Sequence, residues 1–534
     1  MMKKKLLAII SATAAVGCAF AVDVKINPDK KFQTIEYFGA SDAWATQYIG
    51  DFWSDAHREK IAKLLFSQKL DKYGNPEGAG LSLWRVNLGG GTFDGNASQI
   101  EPEWRAARSF LPENSETPDW SRCTGLRYFM EKARDYGCGK FMLFSNTPPI
   151  QWTLNGRGYA TKGNPAANLK PEAFGKFANY MADAAKHFIE KGYNVEYISP
   201  INEPQCPWDY TGAKQEGSPW RCSDMKKILE ELDRAIGERN IGTKIFFGET
   251  SHHVYNYGDK PFPKMPEHWE NLSEEERPAF IIQKFFDKSG KFYIGGLKHL
   301  ARQLASHSYH THKNDGDMKA VRLKLRTEIE SRGFDYHQSE WCMLGYLAKP
   351  KFVEGAEADW KPDNMTDIQI SLLMARMIRS DFVDGNAKSW SYWVATEIKY
   401  GLCALVNTMP HSDTPRKGGA VEASKILWAL GNYSFFVRPN FTRIEIDGAD
   451  DTKTVSATAF ASPDGKRLVA VFVNMKDSNE PVSIALPQKF ANAKRSVYIT
   501  DERRNLASEN SAGGAADKIS LYPHSITTVV FDVQ

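Results

Sequence analysis

Between Glu36 and Val394 the chain alternates short apolar runs, which end in polar or aromatic residues, with longer stretches of helical periodicity. No other feature limits the fold as much. The short runs are Glu36–Ala40, Leu81–Asn87, Lys140–Ser145, Val195–Pro200, Lys244–Gly248, Leu304–Tyr309, Asp335–Ser339 and Lys388–Val394. Such runs suit strands buried on both faces of a parallel sheet. The helical stretches are Asp55–Phe66, Arg122–Tyr136, Pro171–Lys191, Ser223–Arg239, Met318–Arg332 and Asp367–Asp381, with apolar residues at i, i+3 and i+4. The pattern predicts an α/β fold, a closed (β/α)8 TIM barrel, although an open doubly wound sheet shares the same local signature. The barrel is favoured by where the chemically interesting residues fall. Arg85, Asn146, Glu203, Tyr309, Glu340 and Trp393 sit at the C-terminal ends of different runs, and a barrel gathers those ends at one mouth.

The flanks of this region read differently. Lys3, Lys4 and Lys5 precede an apolar stretch, Leu6 to Phe20, too short to span a bilayer, and Ala19-Phe20-Ala21 suits a cleavage site. Residues 1–21 are therefore expected to be a bacterial signal peptide, giving a secreted or periplasmic protein. The alternative is a cell-surface lipoprotein carrying its lipid on Cys18. No later stretch is long enough for a transmembrane helix, so no membrane span is expected. Residues 22–35 are predicted to contribute a strand to a second domain, residues 36–423 to form the barrel, and residues 424–534 to form a C-terminal antiparallel β-sandwich. Its alternating runs are Thr454–Ala459, Arg467–Val473, Val482–Leu486, Arg495–Ile499 and Ile526–Val533, with a Ser462-Pro463-Asp464-Gly465 turn between two of them.

The formal net charge is +3 over 534 residues, and removal of residues 1–21 takes away three Lys and no acid. The balanced remainder argues against a nucleic-acid or anionic-membrane partner. A neutral substrate fits better. The 14 Trp and 21 Tyr offer faces on which sugar rings can pack, although most are read as core. Of the cysteines left after export, Cys206 with Cys222 and Cys123 with Cys138 are spaced to close loops by disulfides, with free buried thiols as the alternative for these and for Cys342 and Cys403. The protein is expected to act as a monomer.

Two carboxylates carry the chemistry. Glu203, in Ile201-Asn202-Glu203-Pro204-Gln205, ends the fourth run. Glu340, in Tyr336-His337-Gln338-Ser339-Glu340-Trp341, ends the seventh. Strands four and seven lie across a barrel from each other. Their ends can thus face each other at the separation of about 5–5.5 Å that glycoside hydrolysis with retention needs. Arg85 can hold one carboxylate ionised. Asn202 is placed for a sugar hydroxyl, Tyr309 for a hydrogen bond to Glu340, and Trp393 for the floor of a subsite. Asn146, Trp152, His307 and Trp208 complete the candidate binding set. A metal is not called for: His307, His310 and His312, like His252 and His253, suit no closed zinc site, and HExxH is absent. Gly89-Gly90-Gly91 lacks the rest of a phosphate loop, and no GxSxG elbow exists.

From Phe38 to the C-terminus these motifs resemble glycoside hydrolase family 30, retaining (β/α)8 glycosidases. The resemblance rests on Phe38-Gly39-Ala40-Ser41-Asp42-Ala43-Trp44, Trp84-Arg85-Val86-Asn87 and Phe144-Ser145-Asn146-Thr147-Pro148-Pro149 with Trp152. It rests equally on Asn202-Glu203-Pro204, His307-Ser308-Tyr309, Ser339-Glu340-Trp341 and Trp390-Ser391-Tyr392-Trp393. It implies Glu203 as general acid/base and Glu340 as nucleophile, with Asp42 and Trp44 among the substrate-binding residues. It also implies a side β-sandwich fed by both termini and no cofactor. Leu143-Phe144-Ser145-Asn146 and Gln215-Glu216-Gly217 are most similar to endo-β-1,6-galactanases, which act on plant polysaccharide side chains. Pro149-Ile150-Gln151-Trp152 and the insert Tyr257–Arg277 depart from them, leaving β-1,4-xylanase, β-1,6-glucanase and exo-acting specificities open. A carbohydrate-binding relative without catalysis and a metal-dependent barrel hydrolase are the readings from other classes.

Overall fold

The computed structural model describes residues 21–94, 99–209, 214–258, 266–312, 315–343, 366–398, 404–410, 415–509 and 517–533. Cys18, Cys403 and the loop Ser511 to Ala516 lie outside them. Among them no helix is long and apolar enough to cross a membrane.

The chain opens with β1 (Val22–Thr34) and then enters the barrel through β2 (Tyr37–Ser41), β3 (Leu83–Asn87), β4 (Lys140–Phe144), β5 (Val195–Ser199), β6 (Lys244–Ile245), β7 (Gln303–His307), β8 (Asp335–Glu340) and β9 (Ser389–Glu397). Parallel pairing runs from β9 through β2, β3, β4 and β5 to β6, and β7 pairs with β8. Bridges Ile245 to Leu300 and Thr250 to Ser306 join β6 to β7. Lys388 N and Trp393 N donate to Tyr336 O and Trp341 O, each at 2.9 Å, and close β8 onto β9. The barrel is complete.

Alternation sorts each strand's side chains between its interior and the helices. Tyr37, Leu83, Met142, Tyr197, Phe246 and Ala305 form a small buried cluster that fills the barrel floor. Two residues further along, Arg85 and Phe144 form the next layer, the guanidinium 3.9 Å above the ring. Phe38, Trp84, Phe141, Leu143, Ile198 and Leu304 face outward into the main core. The helices against them are α1 (Ala45–Phe52), α2 (Asp55–Phe66), α3 (Thr124–Asp135), α4 (Phe174–Glu190), α5 (Cys222–Arg239), the short α6 (Val254–Tyr257) and α7 (Ile281–Phe286), α8 (Asp315–Glu330) and α9 (Asp367–Val383). On α4 the buried Phe174, Phe177, Ala178, Met181, Ala184, Ala185 and Phe188 make the apolar stripe that helical spacing dictates. Thr366 and Gln369 form a capping box that fixes the start of α9. Trp84, fully buried edge-on to Phe66 of α2, couples strand to helix. Truncating it to Ala costs about 3–5 kcal/mol.

Several elements differ from the sequence reading. β6 keeps only two residues of the expected Lys244–Gly248 run, because its backbone bends at Gly248 (φ 125°). A Cβ there would lie 2.2 Å from Ala305 O, so only glycine permits β6 and β7 to approach. After β9 the structure adds β10 (Ala404–Pro410) and β11 (Gly419–Ala423), an antiparallel pair that extends the sheet beyond the closed barrel. Of the two readings left open for the cysteines, free thiols hold among the described residues: Cys123, Cys138, Cys206, Cys222 and Cys342 are unbridged. Cys222 donates to Arg277 O at 3.1 Å, and Cys206 reaches Glu203 instead of Cys222.

α10 (Lys425–Ser434), capped by Ser424, leads to β12 (Thr442–Asp447), β13 (Val455–Ala461), β14 (Arg467–Asn474), β15 (Glu480–Ala485), β16 (Lys494–Thr500), β17 (Ala507–Ser508), β18 (Lys518–Leu521) and β19 (Ser525–Asp532). With β1 they form one ladder in the order β17-β16-β19-β14-β13-β12-β1-β15-β18. The ladder curls, since Val24, Ile484 and Leu521 from one end share a core with Phe472, Ile499 and Phe531 from the other. On β14, Leu468, Ala470 and Phe472 face this core while Val469, Val471 and Val473 face the barrel's core. Period-two apolar residues on both faces thus make the sandwich a wall of the barrel.

Candidate active site

The mouth of the barrel is assembled from strand ends whose backbones are bent to bring side chains inward. Pairing of β7 with β8 slips between Ser306 and His307, so that His307 stands opposite Glu340. This bulge lets both Ser339 and Glu340 reach the interior network. A second slip, between Ala40 and Ser41 on β2, leaves Trp393 of β9 without a partner on β2, and its ring lies 5.8 Å from the Arg85 guanidinium. Glu203 (φ 41°) and Glu249 (φ 44°) both take left-handed backbone conformations, unusual for a residue with a side chain. Glu203 N donates to Glu249 O at 2.9 Å, which locks the two turns together.

Glu340 is buried. Arg85 Nη1 donates to its Oε2 at 2.6 Å and the Tyr309 hydroxyl to its Oε1 at 3.0 Å. Arg85 Nη2 also donates to Asn202 Oδ1 at 3.2 Å and lies 3.4 Å from Glu249 Oε1. His307 is fully buried between carboxylates, its Nδ1 2.9 Å from Glu203 Oε1 and its Nε2 2.8 Å from Glu249 Oε2. Oxygen atoms of Glu203 and Glu340 and a nitrogen of His307 all lie within 4.8 Å of one another. Glu203 remains partly open to solvent, and its Oε2 accepts from the Cys206 thiol at 3.4 Å.

Electrostatics follow from this packing. Burial opposes the charge on His307, but Glu340, Glu203 and Glu249 outweigh it and raise the imidazole to about 10. His307 is therefore a cation at neutral pH and donates from both nitrogens. Glu249 is pushed up by burial, yet Arg85 and His307 bring it down to about 2. Glu340 is raised above its ordinary value by burial, while His307 and Arg85 pull the other way. A buried, hydrogen-bonded carboxylate therefore faces a more exposed one across a gap of atomic dimensions.

The remaining expected residues divide into wall and support. Asn146 is buried, and neither amide atom finds a hydrogen-bond partner among the described residues; the same holds for Asn87, Thr147 Oγ1 and Trp44 Nε1. Buried polar atoms of this kind need partners, and substrate hydroxyls are the natural ones. Trp44 meets Trp393 edge-on at 5.3 Å. Asp42 supports that wall from behind, accepting from Asn87 N at 2.7 Å and Gln47 Nε2 at 3.0 Å, and burial pushes it up to about 7. Trp208 (φ 47°) donates its indole N–H to Glu203 O at 3.1 Å. Trp152 packs edge-on to Tyr180 of α4 and donates to Glu116, so its known contacts are with the scaffold. His310 stacks with His252 at 6.1 Å, and His312 lies beside Trp341.

Sequence reasoning missed Glu249 and Asn87. Glu249 directly follows the Lys244–Gly248 run, the same strand-end position that singled out Glu203 and Glu340. Asn87 follows Arg85 by two residues, hence on the same face of β3.

A closed (β/α)8 barrel with two facing carboxylates at its mouth has the arrangement that glycoside hydrolysis requires. Residues 21–406 match O-Glycosyl hydrolase family 30, and residues 442–529 match the Glycosyl hydrolase family 30 beta sandwich domain. The chain belongs to glycoside hydrolase family 30. It is 24% identical over 266 residues to an endo-beta-1,6-galactanase of Hypocrea rufa, covering 47% of this chain and 52% of that one. It is also 24% identical over 307 residues to an exo-beta-1,6-galactobiohydrolase of Bifidobacterium longum, covering 44% of this chain and 20% of that one. The chain thus aligns with about half the length of the first of these relatives and a fifth of the second. A crystal structure of a conserved exported protein from Bacteroides fragilis superposes with a TM-score of 0.83 at 29% identity, covering 95% of this chain and 99% of that one.

Proposed function

We propose that this chain hydrolyses β-1,6-linked galactan with retention of anomeric configuration, Glu340 acting as nucleophile and Glu203 as acid/base. The observation that carries the mechanism is the approach of the Glu203 and Glu340 oxygens to within 4.8 Å, too close to lodge a water for direct inversion. In the first step a Glu340 oxygen bonds to the anomeric carbon as the glycosidic C–O bond breaks, and the Glu203 proton passes to the departing oxygen. In the second, water attacks that carbon, Glu203 takes its proton, and the bond to Glu340 breaks. Arg85 and Tyr309 hold Glu340 as an ionised acceptor. Asn202, fixed by Arg85, presents its amide nitrogen to a sugar hydroxyl. Trp44 and Trp393 pack the sugar ring, and Asn146 reads its hydroxyls. Trp208 holds the Glu203 carbonyl.

Two relatives named for β-1,6-galactan chemistry support the choice of substrate. The proposal places the enzyme outside the cytoplasm as a monomer, after loss of residues 1–21. Its test is incubation with β-1,6-galactan, β-1,4-xylan and β-1,6-glucan, with products sized and their first-formed anomer read by proton NMR. Galactan fragments in the β configuration are expected. Cleavage of xylan or β-glucan alone would reassign the substrate, and an α product would end the double-displacement scheme.

A further inference from the structure

Glu216 is a fully buried carboxylate away from the catalytic pair, and no ion pair reaches it among the described residues. Its oxygens accept instead from Gly90 N, each at 3.1 Å, and from Thr92 Oγ1 at 2.7 Å. Gly90 and Thr92 belong to the loop after β3, whereas Glu216 belongs to the loop after β5. The loop after β4 joins them: Gly217 N donates to Gly158 O at 2.9 Å, and Ile150 N donates to Gly90 O at 2.9 Å. The fit is tight, since a Cβ on Gly90 would meet the Thr147 methyl at 2.6 Å and one on Gly158 would meet the Thr92 methyl at 2.2 Å. Gly217 lies flat on the Trp208 ring, where a Cβ would come within 2.3 Å. Trp208 in turn holds the carbonyl of Glu203.

We infer that Glu216 is a positioning residue which locks the three mouth loops after β3, β4 and β5 into one wall beside Glu203, and so governs the binding of extended substrate chains. The inference rests on the glycosidase reading of that mouth. A carboxylate with two acceptor oxygens satisfies donors from a different loop at the cost of burying its charge. The charged groups on the packed loops leave Glu216 uncompensated. Asp94 is neutralised by Arg108 and Arg122, Arg105 is engaged by Lys214 O and Glu397, and Arg157 by the Tyr159 hydroxyl. Burial accordingly raises Glu216 to about 7, against the bonds from Thr92 and Gly90. The bonds from Thr92 and Gly90 only partly offset the buried charge, so the locked state holds the Glu216 proton more tightly than an opened, solvated carboxyl does. The lock therefore loosens as pH climbs from the ordinary carboxylate range to about 7 and changes no further above it.

The test compares wild type with Glu216→Ala and Glu216→Gln, using an aryl glycoside and an oligosaccharide of the same sugar. For Glu216→Ala, KM for the oligosaccharide is expected to rise about tenfold, the equivalent of one to two lost hydrogen bonds, with a smaller change in kcat. In wild type that KM rises as pH climbs toward about 7 and levels off above it, and in Glu216→Gln the dependence flattens. Peptide-resolved hydrogen exchange at residues 88–93 and 214–217 should accelerate in both variants. Unchanged exchange in these loops, or an unaltered pH profile of KM in Glu216→Gln, overturns the assignment. Should no glycoside be cleaved by the wild-type protein, the proposed function falls, while the exchange measurement still judges Glu216.

Discussion

His307 Nε2 lies 2.8 Å from Glu249 Oε2, and this buried pair ties the end of β7 to the turn after β6 beside the candidate acid/base. The other imidazole nitrogen points at Glu203, so any change in the charge of Glu249 is passed to Glu203 through one ring.

The first prediction follows from that relay. With Glu249 made neutral in Glu249→Gln, one of the carboxylates that raise His307 to about 10 is lost, and the imidazole should deprotonate at lower pH. The alkaline limb of kcat/KM should move down, and NMR titration of the His307 ring should move with it. A shifted rate profile with an unmoved ring titration would mean that His307 is not the relay. The signs for stability are opposite at the two ends. His307, raised, contributes fully below its ordinary value and loses that contribution as pH rises through about 10. Glu249, lowered to about 2, contributes above its ordinary value and loses that contribution as pH falls toward 2. Melting curves from pH 2 to 10 should show both flanks in wild type and a weakened acid flank in Glu249→Gln.

A second prediction separates the carboxylates by stereochemistry. Glu203→Ala should lose about 10²- to 10⁴-fold in rate on substrates with poor leaving groups and much less on activated aryl glycosides, which need no proton. Azide should rescue it, giving a β-glycosyl azide by attack on the covalent intermediate. Glu340→Ala should be nearly inactive on all substrates, and any azide product should be the α anomer, since attack is then direct. Exchange of these two outcomes would reverse the assigned roles.

Asp42 supplies a third. Burial raises it to about 7, so ionisation works against the folded state as pH climbs from its ordinary value to about 7. Asp42→Asn removes that titration while keeping an acceptor for Asn87 N. The melting temperature of the variant relative to wild type should therefore rise between pH 4 and 7 and level off above. A constant difference across this range would contradict a buried, uncompensated Asp42.

How much of this was readable in the chain depends on the physical range of each signal. The eight barrel strands, β1 and most of the sandwich strands announce themselves because burial of both faces, or of alternate residues, is a local pattern. Glu203 and Glu340 were visible because strand ends in a barrel converge by geometry alone. β12 and β18 escaped notice, as Thr442–Asp447 and Lys518–Leu521 mix charged residues with few apolar ones and gain their order from neighbours distant in sequence. Glu249 escaped because its partners, Arg85, His307 and Ser339, lie on three other strands, and nothing within its own segment marks it as an ion-pair centre. Cys206 and Cys222 were spaced for a disulfide, but the turn after Glu203 sends Cys206 toward the Glu203 carboxylate.

The last prediction concerns Arg85, which is buried and faces two carboxylates, Glu340 at 2.6 Å and Glu249 at 3.4 Å. Its desolvation is offset only while both acids remain charged beside it. Arg85→Met would keep the stem's packing on Phe144 and leave the two acids without their shared cation. Breaking a buried ion pair from one side costs about 3–5 kcal/mol. A double change, Arg85→Met with Glu249→Gln, removes one of the orphaned charges and should recover part of that loss. Chemical denaturation of the four proteins gives the coupling energy directly. Additive losses would show that Arg85 and Glu249 do not interact, leaving Glu340 as the acid that Arg85 holds. A recovery of more than about 1 kcal/mol would show that Arg85 holds the charge of Glu249 in the mouth alongside His307.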